Sequence, residues 1–163
     1  MSEQMSDQSS CAPAIRMLSE HLEASRAKLL DAVGGLGRET FLARRPGGAS
    51  VRDLLVHLME AEDYWVTSVI LGRKRDKFLP GNYEDVAALR SAWEEVHGRT
   101  RGLFAGLTRD LLAEARTVVW DEERTFGVGT ILWHFFLHES HHRGQICMMM
   151  RDGGHTPPEL DVL

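Results

Sequence analysis

Four segments of this chain carry apolar residues at the three- and four-residue spacing of a helix, and this pattern limits the fold more than any other feature. The glycine- and proline-containing runs GGLG, PGGAS and DGG interrupt or end the pattern. Four helices of this length predict an all-α fold, a four-helix bundle. The predicted helices are residues 13–33, 50–72, 83–107 and 130–151.

Helix boundaries and connections add detail to this prediction. Ser50 and Asp53 form a predicted capping box at the start of the second helix, and Thr130 is the predicted N-cap of the fourth. The connections between the first two helices and between the last two are long, which leaves room for crossovers. In the second of them, within residues 114–130, TVVW favours a strand and DEE a turn, so we expect a short β-hairpin before the fourth helix.

The length of 163 residues predicts one domain. Residues 1–11 are polar and lack the apolar core of a signal peptide, so we expect a disordered tail followed by a single domain over 12–163. The apolar runs are too short to cross a membrane, and a cytoplasmic location follows as the default expectation. The two cysteines, Cys11 and Cys147, do not have the spacing of a zinc finger or a redox motif.

The net charge of −5 argues against nucleic acid as a general partner, since such binding requires a basic surface that displaces counterions. One basic cluster stands out, GRKRDK at residues 72–77. It could bind an anion, but its position between two predicted helices favours a solvated loop.

The stretch HFFLHESHHRGQI, residues 134–146, holds four of the eight histidines of the chain. At about 100° per residue, His138 and His142 each lie about 20° from Ile131 on a helical wheel. Because the rest of this helix is also largely apolar, both side chains are expected to point into the bundle. Side chains at i and i+4 are neighbours, so two imidazoles at this spacing can bind one metal ion.

The spacing alone leaves the ligand set open. His134 and His138 form a second i, i+4 pair, and a buried hydrogen-bonded network without metal is the alternative to a metal site. A third ligand must come from another helix, with His21, His57 and His97 as candidates. The wheel slightly favours His57, whereas the charged neighbours of His21 and His97 indicate surface positions.

Three stretches resemble the DinB/YfiT-like superfamily of metalloenzymes. They are ASVRDLLVHLMEAEDYW in the second helix, TILWHFFLHESHHRGQI in the fourth and PPELDVL at the end. The resemblance covers most of the chain after residue 50, and HHRGQ is its most recognisable part. It implies a DinB-like four-helix bundle, frequently a homodimer, in which His57, His138 and His142 bind a divalent ion, usually zinc or nickel.

Such a site implies enzymatic chemistry. Three neutral imidazoles leave the charge of the ion uncancelled and a coordination position open, where a bound thiol or water would lose its proton more readily. Similar family members include thiol transferases that use bacillithiol or mycothiol, so we expect a small-molecule substrate and a low-molecular-weight thiol. Hydrolysis is the alternative, with Asp53 or Glu60 as the base, and metal binding without catalysis is a third possibility.

Further residues are expected near the ion. Trp65 either lines a pocket or packs in the core, together with Tyr64 and Trp133, and Arg143 either binds a carboxylate or makes an ion pair. The remaining histidines of the fourth helix either support the site or an interface, or simply pack, and the glutamine of HHRGQ belongs to the family motif. The predicted set near the ion is Tyr64, Trp65, His134, His141, Arg143 and Gln145.

Overall fold

The structure, a computed structural model, describes residues 11–45, 48–119 and 121–161. Its α-helices are α1 (Cys11–Gly34), α2 (Arg38–Leu42), α3 (Val51–Glu62), α4 (Val86–Ala105), α5 (Arg109–Ala113) and α6 (Val128–Asp152). The remaining elements are a π-helical segment (Asp63–Ile70), a 3-10 turn (Pro80–Asn82) and the strands β1 (Ala115–Val119) and β2 (Glu123–Gly127). Among these residues, no helix has both the length and the apolar character that crossing a bilayer requires.

The four long helices form the predicted bundle. Helix α1 packs mainly against α4 and α6, and α3 also packs against α4 and α6. Helices α1 and α3 therefore occupy diagonal corners, as do α4 and α6. The α1–α3 and α4–α6 connections cross the bundle, and they contain the short helices α2 and α5. The all-α four-helix bundle with long crossover connections is confirmed.

The hairpin before α6 is also confirmed. Strands β1 and β2 are antiparallel, with Thr117 opposite Thr125, and Val118 of β1 is buried against the core. The prediction that Thr130 caps α6 is wrong, because β2 runs directly into the helix and Gly127 occupies the N-cap position. The backbone N–H of Val128 donates to the carbonyl of Glu114 at 2.9 Å, which fixes the start of α6.

The start of α3 agrees with the sequence. The Ser50 hydroxyl accepts from the backbone N–H of Asp53, and the Asp53 carboxylate accepts from the backbone N–H of Ser50, both at 3.1 Å. This reciprocal capping box is confirmed. The predicted tail lies outside the described residues up to residue 10, and α1 begins at Cys11. The single domain over 12–163 stays a prediction.

The core consists of two apolar clusters at the two ends of the bundle. One contains Leu55 and Met59 of α3 with Ile146 of α6. The other contains Trp65 of the π segment and Phe135 of α6. Helices α1, α4 and α6, and α3 together with the π segment that continues it, contribute buried residues to both clusters, so each must pass through the layer between them.

Charged side chains fill this middle layer. Arg26 of α1 lies 2.7 Å from the Glu62 carboxylate of α3, and Arg143 lies 2.9 Å from the Glu139 carboxylate one turn earlier in α6. His97 of α4 lies 2.8 Å from Glu62. Trp93 completes the layer by donating its indole N–H to Glu62 at 2.6 Å. Both carboxylates are 0% exposed, so this is a buried ionic layer.

The burial of individual side chains corrects two predictions. His97 is buried, at 4% exposure, and is not a surface residue, because Glu62 offers it a buried partner. Helix α6 is not buried all round, since Leu137 and Met148 are exposed. Its buried face is centred on the Glu139–Arg143 side, about 100° from His138 on the wheel.

Candidate metal centre

Three histidines from two helices meet at one edge of the bundle. His57 of α3 is exposed, and His138 and His142 of α6 are half-buried. One ring nitrogen from each lies within 4.8 Å of the others. The centroid of the His57 ring lies 5.0 Å from that of His138 and 4.7 Å from that of His142. The structure therefore brings together the three residues that the family resemblance implied, although at the flank of α6 and not in the bundle interior.

The arrangement is suited to a divalent ion. Nε2 of His57 and Nε2 of His138 are 3.1 Å apart. Two imidazoles at about 2.0–2.1 Å from one tetrahedral zinc ion would have their nitrogens roughly 3.3 Å apart. Among the described residues, the buried Nδ1 of His138 has no hydrogen-bond partner. The two Nε2 atoms face each other, and the other nitrogen of the His138 ring receives no hydrogen bond from the described residues. This arrangement fits a cation placed between the rings.

The electrostatics of the cluster favour the neutral rings that a metal needs. Burial lowers the pKa of His138 to about 4, and the nearby His142, His57 and His134 add to this effect. Burial and the neighbouring His142 also lower the pKa of His57. Because a metal binds only the unprotonated nitrogen, lowered pKa values reduce competition from protons near neutral pH.

Gln145 orients one of the three rings. Its Oε1 lies 2.7 Å from Nδ1 of His142, and its Nε2 lies 3.1 Å from Nε2 of His141. When His142 donates its Nδ1–H to the amide oxygen, its Nε2 is left free for a metal. Partners that fix a ligand's tautomer and orientation in this way strengthen metal binding. Gln145 and His141 thus lie where supporting residues were expected.

We expect Gln145→Leu to weaken metal binding by roughly 10- to 100-fold, the usual cost of losing such a partner. The affinity would be measured by competition with a chelator of known strength. Ser140→Ala is the control, because Ser140 lies in the same helix but bonds only to the backbone carbonyl of Phe136. An affinity within twofold of the wild type would contradict the orienting role.

A cavity of about 360 Å³ opens beside the cluster. Its volume lies at the lower end of the range of roughly 300–1,000 Å³ that is usual for small-molecule sites. The rings of Tyr64 and Trp65 are 4.9 Å apart, and Trp65 lies 4.8 Å from His134. The lining residues are His57, Glu60, Ala61, Tyr64, Trp65, Arg75, His134 and His138.

A larger cavity lies elsewhere among the described residues. It measures about 560 Å³ and lies between α1, α6 and residues 157–161, where Ser140, Gly144 and Cys147 form part of its wall. These residues are on roughly the opposite side of α6 from His138 and His142. None of the three clustered histidines lines it, so the smaller cavity is the better candidate for chemistry.

Some residues predicted near the ion lie elsewhere. Arg143 belongs to the buried ionic layer, so its ion-pair alternative is the correct one. Trp133 is half exposed and does not line the cavity. Asp53 is used by the capping box and by an ion pair with Arg44, which leaves Glu60 as the carboxylate of the cavity wall.

The chain belongs to the DinB family, whose model matches residues 5–163. Solved structures of DinB-like proteins have a similar fold. A DinB-like protein from Bacillus cereus is 19% identical over 85% of this chain and 89% of its own, with a TM-score of 0.67. A second, from Bacillus subtilis, is 14% identical over 88% and 97%, also with a TM-score of 0.67.

A third similar structure is YfiT from Bacillus subtilis, described as a probable metal-dependent hydrolase with an unusual four-helix bundle topology. It is 15% identical over 95% of this chain and 92% of its own, with a TM-score of 0.60. At these identities the likeness shows the fold alone. A search of curated proteins found no match.

Proposed function

We propose that the chain is a metal-dependent enzyme that uses His57, His138 and His142 to bind a divalent ion and activates a low-molecular-weight thiol. One observation carries the proposal: three clustered imidazoles, whose metal-binding form is neutral, lie beside a cavity of about 360 Å³. Zinc or nickel in such a site would lower the pKa of a coordinated thiol.

Other residues of the site would orient the metal ligands and form the cavity wall. Gln145 holds His142 in the tautomer that presents Nε2, and Trp65 packs against His134 at the cavity wall. Tyr64 and Trp65 would give the cavity an aromatic wall against which a substrate can pack. The sulfur of the thiol would form a bond to the electrophilic carbon of a small-molecule substrate, the bond from that carbon to its leaving group would break, and the leaving group would depart with the electron pair. The thiol proton would go to solvent.

Hydrolysis is the second candidate, and Glu60 is the observation that favours it. The Glu60 carboxylate lies on the cavity wall beside His57, where a general base for an attacking water would be needed. The description of YfiT as a probable metal-dependent hydrolase points in the same direction. A carboxylate in this position serves water attack more directly than thiol attack, because a coordinated thiol loses its proton without a base.

Two assays on the zinc-loaded protein separate the candidates. We expect it to consume a thiol together with a model electrophile such as chlorodinitrobenzene, and to leave an activated ester intact in the absence of thiol. We expect Glu60→Gln to change the thiol reaction by less than about threefold, whereas loss of a general base costs roughly 10²–10⁴-fold. Thiol-independent ester cleavage that falls by this larger factor in Glu60→Gln would establish the hydrolase instead.

Absence of both activities in a fully loaded protein would favour a metal-binding role without catalysis.

A homodimer, implied by the family resemblance, is also proposed. The exposed apolar side chains of Trp133, Leu137 and Met148 on the outer face of α6 offer it a contact surface.

A further inference from the structure

Arg75 places a positive charge at the mouth of the candidate metal cavity. It lies between the π segment and the 3-10 turn, and its side chain lines the same cavity as His57 and His138. Its guanidinium carbon lies 5.2 Å from the centre of the Tyr64 ring. A guanidinium over an aromatic face is held by the ring and keeps its N–H groups free along its edge.

The loop that carries Arg75 is fixed at several points, although Arg75 itself is exposed. The buried carboxylate of Asp63 accepts the backbone N–H of Asp76 at 2.9 Å and the guanidinium of Arg99 at 2.8 Å. The backbone N–H of Arg73 donates to the carbonyl of Thr67 at 2.8 Å. These bonds flank Arg75 on both sides and hold its backbone beside the cavity.

The π segment provides this anchoring. Asp63 and Thr67 both lie in it and are buried, and Arg99 of α4 bonds to both side chains. π-Helical turns are rare and are often found at functional sites. Here the segment presents the Asp63 carboxylate and the Thr67 carbonyl to the loop, while Trp65, between them in sequence, lines the cavity.

The contact that the structure gives the Arg75 guanidinium is with the ring of Tyr64, and it does not neutralise the charge. In the described parts of the chain no carboxylate lies within ion-pair distance of Arg75, whereas the adjacent Asp76 pairs with Arg99 at 3.3 Å. Glu60 shares the cavity wall with Arg75 but is not paired with it. A cation that is positioned, unpaired and directed at a ligand cavity is available to a ligand anion.

We propose that the substrate of this cavity is a small acid: one end reaches the three-histidine centre, and a carboxylate or similar oxyanion at the other end binds Arg75. The inference rests on the proposed metal-dependent function and adds the chemical class of its substrate. The guanidinium fork suits a carboxylate or phosphate, because it can donate two parallel hydrogen bonds to such a group.

The test uses cobalt-loaded protein, in which ligand binding at the metal is followed by absorption. Cobalt binding itself is measured first. Mercaptoalkanoic acids of three to six carbons are then compared with mercaptoalkanols of equal length, using the sulfur-to-cobalt charge-transfer band. Succinate and 4-hydroxybutyrate form a second, thiol-free pair that is followed through the d–d bands. The two members of each pair differ only at the distal end, which is a carboxylate in one and a neutral hydroxymethyl group in the other.

We expect at least one acid to bind roughly tenfold more tightly than its neutral partner, the scale of one charged hydrogen bond near a surface. Arg75→Gln should remove this preference and leave the affinity for the neutral partner unchanged. Lys74→Gln is the matched control, because it removes the same charge from the same loop at a residue that does not line the cavity. Arg75→Lys should retain part of the preference.

The outcomes separate this inference from the proposed function. Cobalt binding and a thiol band without any charge preference would leave the metal-dependent thiol function standing and overturn the role of Arg75. A preference for succinate that Arg75→Gln abolishes, without a thiol band, would support acid recognition and remove the thiol function. An equal loss of preference in Lys74→Gln would show a diffuse charge effect and overturn the inference, as would failure of the protein to bind cobalt at all.

Discussion

Replacement of His57, His138 or His142 by alanine is expected to reduce bound metal from about one ion per chain to none. A structural or catalytic zinc site needs at least three protein ligands, and each of these residues supplies one ring nitrogen to the cluster. The measurement is the metal content of protein made without a histidine tag, dialysed against zinc or nickel and analysed by mass spectrometry.

His134→Ala and His21→Ala are the controls for this experiment. His134 lies beside the cluster, with its ring 5.9 Å from that of His138, whereas His21 lines the separate, larger cavity. Both variants should retain the ion, and all five proteins should keep the same far-UV circular dichroism. If His142→Ala retains the ion while His134→Ala loses it, the ligand set proposed here is wrong, and the i, i+4 pair His134–His138 replaces it.

Glu62→Gln is expected to lower the free energy of unfolding by about 3–5 kcal/mol, the usual effect of removing one partner from a buried ion pair. Glu62 is 0% exposed and receives Arg26, His97 and the Trp93 indole. The neutral amide leaves the buried Arg26 without its closest counter-charge. Urea unfolding followed by circular dichroism measures the change.

The control is Glu84→Gln, which breaks the exposed ion pair with Arg38. It should cost less than about 1 kcal/mol. Burial alone would raise the pKa of Glu62, but Arg26 and His97 outweigh it and hold the pKa well below its usual value. The stabilisation is therefore present above about pH 4.3, the unfolded pKa of glutamate, and is lost as the pH falls through the folded pKa. A loss as small as that of Glu84→Gln at pH 7 would contradict the ionic layer.

The overall fold follows from local patterns that act over a few residues. Apolar spacing defines the four long helices, Ser50 and Asp53 mark one helix start, and TVVW followed by DEE marks the hairpin. The length of the connections correctly indicates crossovers. The pairing of His138 with His142 can also be predicted from the sequence, because it depends only on helical periodicity.

The ionic layer was missed because it depends on contacts between distant segments. Glu139 and Arg143 fall between Ile146 and Phe136 on the wheel of α6, and this position indicates burial. An ion pair was one expectation for Arg143, but its place in a layer could not be predicted, since Arg26, which approaches Glu139, and Glu62, which pairs with Arg26, lie on other helices and are remote in sequence. The same neglect of distant partners placed His97 on the surface.

The position of the third histidine and the cavity wall also could not be predicted from the sequence, because both depend on contacts between distant segments. Helical spacing cannot bring His57 to α6. The wheel favoured His57 only slightly, and the family resemblance selected it before the structure placed the three rings together. Arg75 looked like part of a solvated basic loop, because the anchoring of that loop by Asp63 and Arg99 depends on a π-helical register that the apolar pattern does not indicate.

The most direct test of the three-histidine site is X-ray absorption spectroscopy of the zinc-loaded protein, before and after addition of a thiol. We predict three imidazole nitrogens at about 2.0–2.1 Å and one exchangeable light-atom ligand, which a sulfur at about 2.3 Å replaces when the thiol is added. Fewer than three imidazoles, or four protein ligands that the thiol leaves unchanged, would contradict an open three-histidine centre.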